Sequence, residues 1–361
     1  MAGRGRHRKV ALVPLALAAS ALLLGGCGTY PQSDFNAVGP ISRLQRAALV
    51  EDMRFLGVIG IIVIGLVVYA AIRFRHRPGE EETPAQVEGN PRLELAWWVV
   101  IALGLIFLVV PPLRDEFVLA QTPQGPGVVH VKVIGHQWWW EFQYPDYNFV
   151  TANELHIPVG AKIDLQVTSA DVIHSFWVPN IAGTLDAIPG RINTEWFQAD
   201  RPGVYWGQCK EFCGLNHANM RLRVVAESPA DFQKWVDSHQ HPVGVAGLTG
   251  DALAGWQLFD GAAGCKNCHT IDGTDAKGII GPNLTGIGSR LGVAAMTLVP
   301  NDAQNLSTWL HDPQAVKPGN DMVIPIKLSD QQIRQLIAFL QTQKTYESPQ
   351  VKAALQNPLA Q

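Results

Sequence analysis

Cys209-Lys-Glu-Phe-Cys213-Gly-Leu-Asn-His217-Ala-Asn-Met220 places two thiols, an imidazole and a thioether within one short run. Three residues separate Cys209 from Cys213, and three more separate Cys213 from His217, so a single loop can fold them onto one centre. A second imidazole, His174, closes the upstream segment Asp171-Val-Ile-His174. Such donors are soft, and soft donors select copper, zinc or iron–sulfur over magnesium or calcium. A mononuclear blue-copper site uses one cysteine with two histidines and an axial methionine. Two cysteines point instead to bridging thiolates that hold two coppers, each completed by one histidine and one weaker ligand. The rival is a structural zinc site with two cysteines and two histidines.

The residues around this loop read as strands. From Val128 the pattern alternates, through Val129, Val131 and Val133, then Leu155 and Ile157, then Ile163, Leu165 and Val167. Turn signals at Pro158-Val-Gly160, Pro189-Gly190 and Pro202-Gly203 punctuate it. Many short strands with regular turns predict an all-β sandwich or barrel to about residue 227. Within it, Gly135-His-Gln-Trp-Trp-Trp-Glu-Phe-Gln-Tyr-Pro145 is dense in aromatics. Alternation puts Trp138 and Trp140 on one face and Trp139 on the other.

Downstream, Cys265-Lys-Asn-Cys268-His269 reads as covalent haem attachment, with two thioether cysteines and a proximal histidine. A helical stretch, Leu253-Ala-Gly-Trp-Gln-Leu-Phe259, precedes it. Near the end, Pro318-Gly-Asn-Asp-Met322 resembles the class I cytochrome c loop that supplies the distal ligand, which implies Met322 in that role, with Met296 as its competitor. Met296 sits in Val293-Ala-Ala-Met-Thr-Leu-Val299, which reads as apolar packing. Methionine–histidine ligation raises the potential of a haem. A last amphipathic helix starts at Ser329 and carries Ile333, Leu336, Ile337 and Leu340 on one face.

Upstream lie the membrane signals. Arg4, Arg6, Arg8 and Lys9 precede an apolar run from Val10 to Leu24, too short for a comfortable span, which ends in Leu24-Gly-Gly-Cys27. This is a signal peptide, and Cys27 resembles the lipidated cysteine of a bacterial lipobox. Phe55 to Ile72 and Leu95 to Leu113 then run without a charge, with Trp97 and Trp98 as interfacial anchors. The two spans form a hairpin. Arginines flank both of its ends, so export decides the topology: chain start outside, connecting loop cytoplasmic, everything after Leu113 outside. Glu94 opens the second span at its cytoplasmic end.

Composition excludes other classes. A net charge of −3, with no basic run interleaved with aromatics past the N-terminus, argues against a nucleic-acid partner. All five cysteines fall inside the motifs above, which leaves none for a structural disulfide. No serine–histidine–acid set, phosphate loop or paired catalytic carboxylates are present.

The copper loop and its surroundings resemble subunit II of haem-copper cytochrome c oxidases. The likeness runs through Asp171-Val-Ile-His174, Asp186-Ala-Ile-Pro-Gly-Arg191, Gly203-Val-Tyr-Trp-Gly-Gln-Cys209 and the membrane hairpin, roughly residues 40–227. It implies a binuclear copper A centre held by Cys209, Cys213, His174, His217, Met220 and the main-chain carbonyl of Glu211. The Glu211 carboxylate is then free for a magnesium or manganese ion at the border with subunit I, with Asp186 near that region. Trp138 matches the family's electron-accepting tryptophan, on an aromatic patch where a cytochrome c docks. Glu94 matches a glutamate that helps proton uptake into the K pathway of subunit I. Gly281-Pro282-Asn-Leu284 resembles the class I cytochrome c loop whose proline carbonyl orients the proximal histidine.

The expected architecture is therefore multidomain: a signal peptide with lipobox over 1–27, an extracytoplasmic segment over 28–54 and a transmembrane helical hairpin over 55–113. A linker over 114–127, a cupredoxin-like all-β sandwich over 128–228 and a second linker over 229–248, which includes a short helix-like piece at Phe232, Trp235 and Val236, follow. An all-α class I cytochrome c domain over 249–345 and a polar tail over 346–361 complete it. The resemblance implies subunit II of a proton-pumping caa3-type oxidase in the bacterial cytoplasmic membrane, a translocase-type oxidoreductase. Its partners would be subunits I and III and an external donor, such as another c-type cytochrome or a quinol–cytochrome c reductase. The rivals are a stand-alone anchored electron carrier and a nitric oxide reductase subunit.

Overall fold

The computed structural model describes residues 30–75, 79, 86 and 88–357; the signal segment and Cys27 lie outside them. Two long helices come first, α1 (Pro40–Arg73) and α2 (Pro91–Leu119). Each has proline at its first position, where the missing N–H costs nothing. Ser42 caps α1 by exchanging hydrogen bonds with Gly39, and Asn90 caps α2 by accepting from the N–H groups of Arg92 and Leu93. Both are long and apolar enough to cross a membrane, with their most hydrophobic windows wholly uncovered by protein. Phe55 and Phe107 meet between them, with ring centroids 5.3 Å apart.

The 28–54 segment differs from expectation. The helix of the first span begins at Pro40, because Arg43, Arg46, Glu51, Asp52 and Arg54 interrupt the hydropathy without interrupting the helix. Its foot belongs to the sandwich: Ile41 is fully buried, and Val38 pairs through its backbone with Asn180 and Asp200. The second helix likewise runs past Leu113, and Leu119 packs on the sandwich core.

Ten strands form that sandwich: β1 (Val129–His136), β2 (Trp139–Tyr144), β3 (Phe149–Ala152), β4 (Glu154–Pro158), β5 (Ile163–Ser169), β6 (His174–Trp177), β7 (Thr184–Ala187), β8 (Asn193–Phe197), β9 (Gly203–Cys209) and β10 (Arg221–Glu227). One sheet runs β3-β2-β1-β5-β8 and the other β4-β10-β9-β6-β7. The expected alternation appears in β1, where Val129, Val131 and Val133 are buried and the residues between them are not. Phe142, Leu155, Ile157, Ile163 and Leu165 fill the interior between the sheets.

Helix α3 (Pro229–Gln240) follows directly, and extends the short helical piece expected at Phe232, Trp235 and Val236 over the first part of the linker. Phe232, Trp235, Val236 and His239 recur at helical spacing and bury that face on the sandwich. The helical domain then comprises α4 (Gly250–Asp260), α5 (Ala303–His311), the short α6 (Pro313–Val316) and α7 (Asp330–Thr342). Ser329 caps α7 and Gln332 returns the bond, a full capping box. Ile333, Leu336, Ile337 and Leu340 form the buried face of α7, against Phe259 from α4.

The tail also differs from expectation. Residues 349–356 form helix α8 (Pro349–Gln356), capped by Ser348. Val351 and Ala354 are buried in a small apolar seam with Val204 and Val225 of the sandwich and Leu291 and Met296 of the helical domain. The C-terminal helix thus joins the two domains.

Candidate metal and haem centres

Strand register builds the metal centre. Phe176 on β6 pairs with Cys209 at the end of β9, so His174 lies beside the cysteine that opens the loop. The loop then returns through a single 3-10 turn, His217–Asn219, into β10. The two sulfurs stand 3.7 Å apart. His174 Nδ1 is 3.9 Å from the Cys209 sulfur, and His217 Nδ1 is 3.6 Å from the Cys213 sulfur. Met220 Sδ approaches Cys213 at 3.8 Å, and the Glu211 carbonyl lies 3.2 Å from the Cys209 sulfur. His174, Cys209 and Cys213 are buried, with their ligand atoms within 4.8 Å of one another.

Neighbouring groups fix these donors. The Asp171 carboxylate lies 2.7 Å from His174 Nε2, which holds the ring with Nδ1 towards the sulfurs. Burial works to raise the Asp171 pKa, but hydrogen bonds from His174 and from the Val172 and Gln137 N–H groups outweigh it and hold the carboxyl below its usual value. Gly135 makes room for the ring, since a Cβ there would come within 2.7 Å of His174 Cδ2. Two thiolates this close repel one another. The Cys213 thiol therefore donates to the Cys209 sulfur, holding Cys209 down to about 4 and pushing Cys213 far up. A soft cation that displaces the shared proton turns the pair into a double thiolate. Two sulfurs, two imidazoles, a thioether and a carbonyl exceed the four donors of a tetrahedral zinc site and suit a pair of coppers.

The haem motif sits in the helical domain. Cys265–Asn267 forms a 3-10 turn, and the His269 N–H closes it on the Cys265 carbonyl at 2.9 Å. His269 Nδ1 donates to the Pro282 carbonyl at 2.8 Å. Its ring lies against Gly281, where a Cβ would come within 2.5 Å of Cε1. These residues line an apolar pocket of about 1390 Å³ including its open mouth, with Phe259 and Leu310 in the walls. Met322 faces it too, from a loop tied by Asn320, whose side chain accepts from the Met322 N–H and donates to the Pro313 and Lys317 carbonyls. Met296 is elsewhere, 1% exposed in the seam under α8. Two facing thiols, a polarised imidazole and a thioether in an apolar cavity fit a covalently held haem.

The aromatic turn joins the two centres. Trp138 is 7% exposed, and its indole N–H donates to the Cys213 carbonyl at 2.8 Å. Gln137 donates to the same carbonyl at 2.8 Å. Gln137, Trp138 and Trp139 also form part of the rim of the haem pocket. An exposed aromatic patch was expected here, but the chain's own helical domain lies over it, with Gly319 close to the Trp138 ring. Trp140 is fully buried, and Trp139 stacks on His136 at 4.1 Å.

Comparison with known proteins assigns a family to each of the two domains. Residues 148–228 match the family model for cytochrome c oxidase subunit II, periplasmic domain, and residues 252–344 match that for cytochrome c. Cytochrome c oxidase subunit 2 of Alkalihalophilus pseudofirmus is 34% identical over 342 residues, covering 92% of this chain and 97% of the relative. The subunit 2 of Bacillus subtilis is 32% identical, covering 90% and 96%. The chain belongs to the cytochrome c oxidase subunit II family. A solved periplasmic domain of subunit II from Bradyrhizobium japonicum is 35% identical and covers 34% of this chain and 98% of its own, with a TM-score of 0.32.

Membership of the subunit II family, with a cytochrome c domain attached, implies copper A in the sandwich and haem c in the helical domain. The remaining predicted residues are scattered. Glu94 lies in the first turn of α2. Glu211 is exposed at the copper loop, and Asp186 is exposed on β7; neither joins a cluster of potential ligands among the described residues. Sequence reasoning missed Lys317, which is 4% exposed with its ammonium against three backbone carbonyls. Burial pushes its pKa down, to about 7. Only its place in Lys317-Pro-Gly319, an ordinary turn signal, marked it in the sequence. Asn216, whose side chain donates to the Pro318 carbonyl, was missed although it lies inside the Cys209–Met220 loop.

Proposed function

We propose that this subunit passes electrons from its fused haem c domain, through copper A, to the haem-copper site of subunit I, where oxygen is reduced to water as protons are pumped. Bound in these two sites, the copper pair and the haem each supply a reversible one-electron centre. Cys209 and Cys213 would bridge the coppers, with His174, His217, Met220 and the Glu211 carbonyl completing them. Cys265 and Cys268 would carry the haem through thioethers, with His269 and Met322 on its iron. Trp138 would receive the electron from the haem side. The observation that carries this reading is the position of Trp138, at once on the rim of the haem pocket and bonded to the Cys213 carbonyl.

Other residues have supporting roles in the same proposal. The rigid sandwich holds the six copper donors still, which keeps reorganisation small when charge changes. Burial works against charging His269, and its hydrogen bond to Pro282 opposes that and fixes the ring. The exposed Glu211 carboxylate, with Asp186, would reach a magnesium or manganese ion at the border with subunit I. Glu94 would serve proton uptake on the cytoplasmic side, and Cys27 would carry the lipid anchor. Subunit III and an external c-type cytochrome or quinol–cytochrome c reductase complete the set of partners.

Purification from the native membrane tests the proposal. The expected preparation holds two coppers and one haem c per chain, with a co-purifying subunit that carries haem a. It consumes oxygen when haem c is reduced. Zinc in place of copper, or a copper signal without delocalised valence, would overturn it.

A further inference from the structure

We infer that Lys317 is a positioning residue that fixes the haem-pocket loop on the copper loop and so sets the gap an electron must cross. The inference rests on the proposed transfer from haem c to copper A.

The geometry is specific. Lys317 Nζ donates to the Trp138 carbonyl at 2.7 Å, to the Asn219 carbonyl at 3.1 Å and to the Ala294 carbonyl at 3.4 Å. An ammonium has three N–H donors, and each here has an acceptor. The acceptors come from three separate stretches: the aromatic turn, the copper loop between His217 and Met220, and the helical domain. All three are backbone atoms, so the contact fixes chain positions and not side-chain rotamers. A compact point charge suits three converging carbonyls better than the planar fork of arginine.

Smaller contacts surround it. Asn216 donates to the Pro318 carbonyl, Thr297 Oγ1 to the Asn219 carbonyl at 3.3 Å, and the Arg221 N–H to the Ala295 carbonyl at 3.3 Å. Lys317 also stands in the loop that ends at Met322, whose backbone carbonyl at 317 accepts from Asn320. Its head group therefore ties the wall of the haem pocket directly to Trp138 and to the turn after His217. A second tie between the domains lies elsewhere: Glu154 Oε1 on β4 accepts from the Leu291 N–H at 2.6 Å. With that tie and α8 intact, cutting the Lys317 contacts changes the fit of the loops and not the attachment of the domain.

The test compares Lys317→Met with the unsubstituted chain in the assembled, fully loaded oxidase. Hydrogen exchange is read at the amides of residues 216–221 and 294–297, and haem-to-copper transfer by following haem c and copper absorbance after rapid mixing. The expected variant keeps both spectra and the haem c potential. It exchanges about tenfold faster at those amides, with β1 and β5 unchanged, and transfers about tenfold more slowly. Unchanged exchange there, or an unchanged transfer rate despite faster exchange, would overturn the inference. If Lys317→Met does not accumulate, Lys317→Gln keeps two N–H donors, and the same changes are expected at smaller amplitude, with the same results counting against it. Absence of haem-to-copper transfer in the unsubstituted oxidase would defeat the functional proposal instead, and the exchange measurement would still decide whether Lys317 holds the loops.

Discussion

The indole N–H of Trp138 donates to the carbonyl of Cys213 across 2.8 Å, although the two residues lie in turns that connect strands of different sheets and are 75 positions apart. The ring that forms part of the haem pocket's rim is thus bonded to the residue whose sulfur stands 3.7 Å from that of Cys209. The direction of the bond matters. A donor at the Cys213 carbonyl steadies the loop backbone without competing for the sulfur.

Trp138→Phe separates packing from bonding. Phenylalanine keeps a ring in the site but loses the N–H, while Gln137 continues to donate to the same carbonyl. The expected loss of stability is about 0.5–1.5 kcal/mol, the usual net value of one hydrogen bond. Copper content should be unchanged and transfer from haem c slower. A transfer rate equal to that of the parent would remove Trp138 from the route.

Cys213→Ser tests the independence of the two centres. The substitution removes the sulfur that neighbours His217 and Met220 and that is proposed to bridge the coppers. The haem motif lies in a separate core around Phe259, Ile333 and Phe339, so it should assemble normally. Optical spectra should show full haem c with no copper A band. Parallel loss of the haem would mean that the two domains fold as one unit.

The two methionines should respond in opposite ways. Met322→Ala removes a thioether from the haem pocket, so the far-red charge-transfer band of the oxidised haem should vanish while the haem stays attached. Met296→Ala should leave that band alone and instead open a cavity in the seam under α8, at a cost of about 2–5 kcal/mol. Thermal unfolding and the oxidised spectrum of each variant distinguish the roles. Retention of the band in Met322→Ala would assign the iron to another ligand.

That these six donor groups would meet was legible because five of them lie in one loop, and because soft donors at short spacing have few other uses. The proximal loop at Pro282 was legible in the same way. The joint between the domains was not. Lys317 and Asn216 act on backbone carbonyls, which every residue owns, so no complementary residue in the sequence marks the contact. Helix α3 was legible in part: Phe232, Trp235 and Val236 at helical spacing mark a short helical piece, while Pro242 and the glycines after it hid how far it runs. Helix α8 buries only Val351 and Ala354, too few apolar positions for a recognisable stripe. Charges at the foot of α1 hid its first turns from any hydropathy criterion, because a helix and a membrane span are different things.

Trp235 supports a final prediction, on pH. His156 stacks on its ring at 4.2 Å and His239 packs beside it at 4.3 Å, both buried. Burial works to lower the His156 pKa, but the carboxylates of Glu227 and Glu154 outweigh it and raise it to about 9. Burial lowers His239 to about 3, and the charge on His156 adds to that. A raised imidazole stabilises the fold fully below its unfolded pKa, and that stability is lost as pH rises through 6.5 towards 9. For His156 the full effect is about 3 kcal/mol. His239 must stay neutral, so its contribution is intact above 6.5 and falls away as pH drops towards 3. The two slopes oppose each other, so the contribution of this histidine pair is greatest near pH 6.5, and comparison of each variant with the parent isolates it from groups such as Lys317, whose lowered pKa acts in the opposite sense above pH 7. Thermal unfolding of the purified subunit across pH 5 to 9 reads both limbs. His156→Gln should flatten the alkaline limb and His239→Leu the acid one. An alkaline limb that survives His156→Gln unchanged would place the titrating group elsewhere.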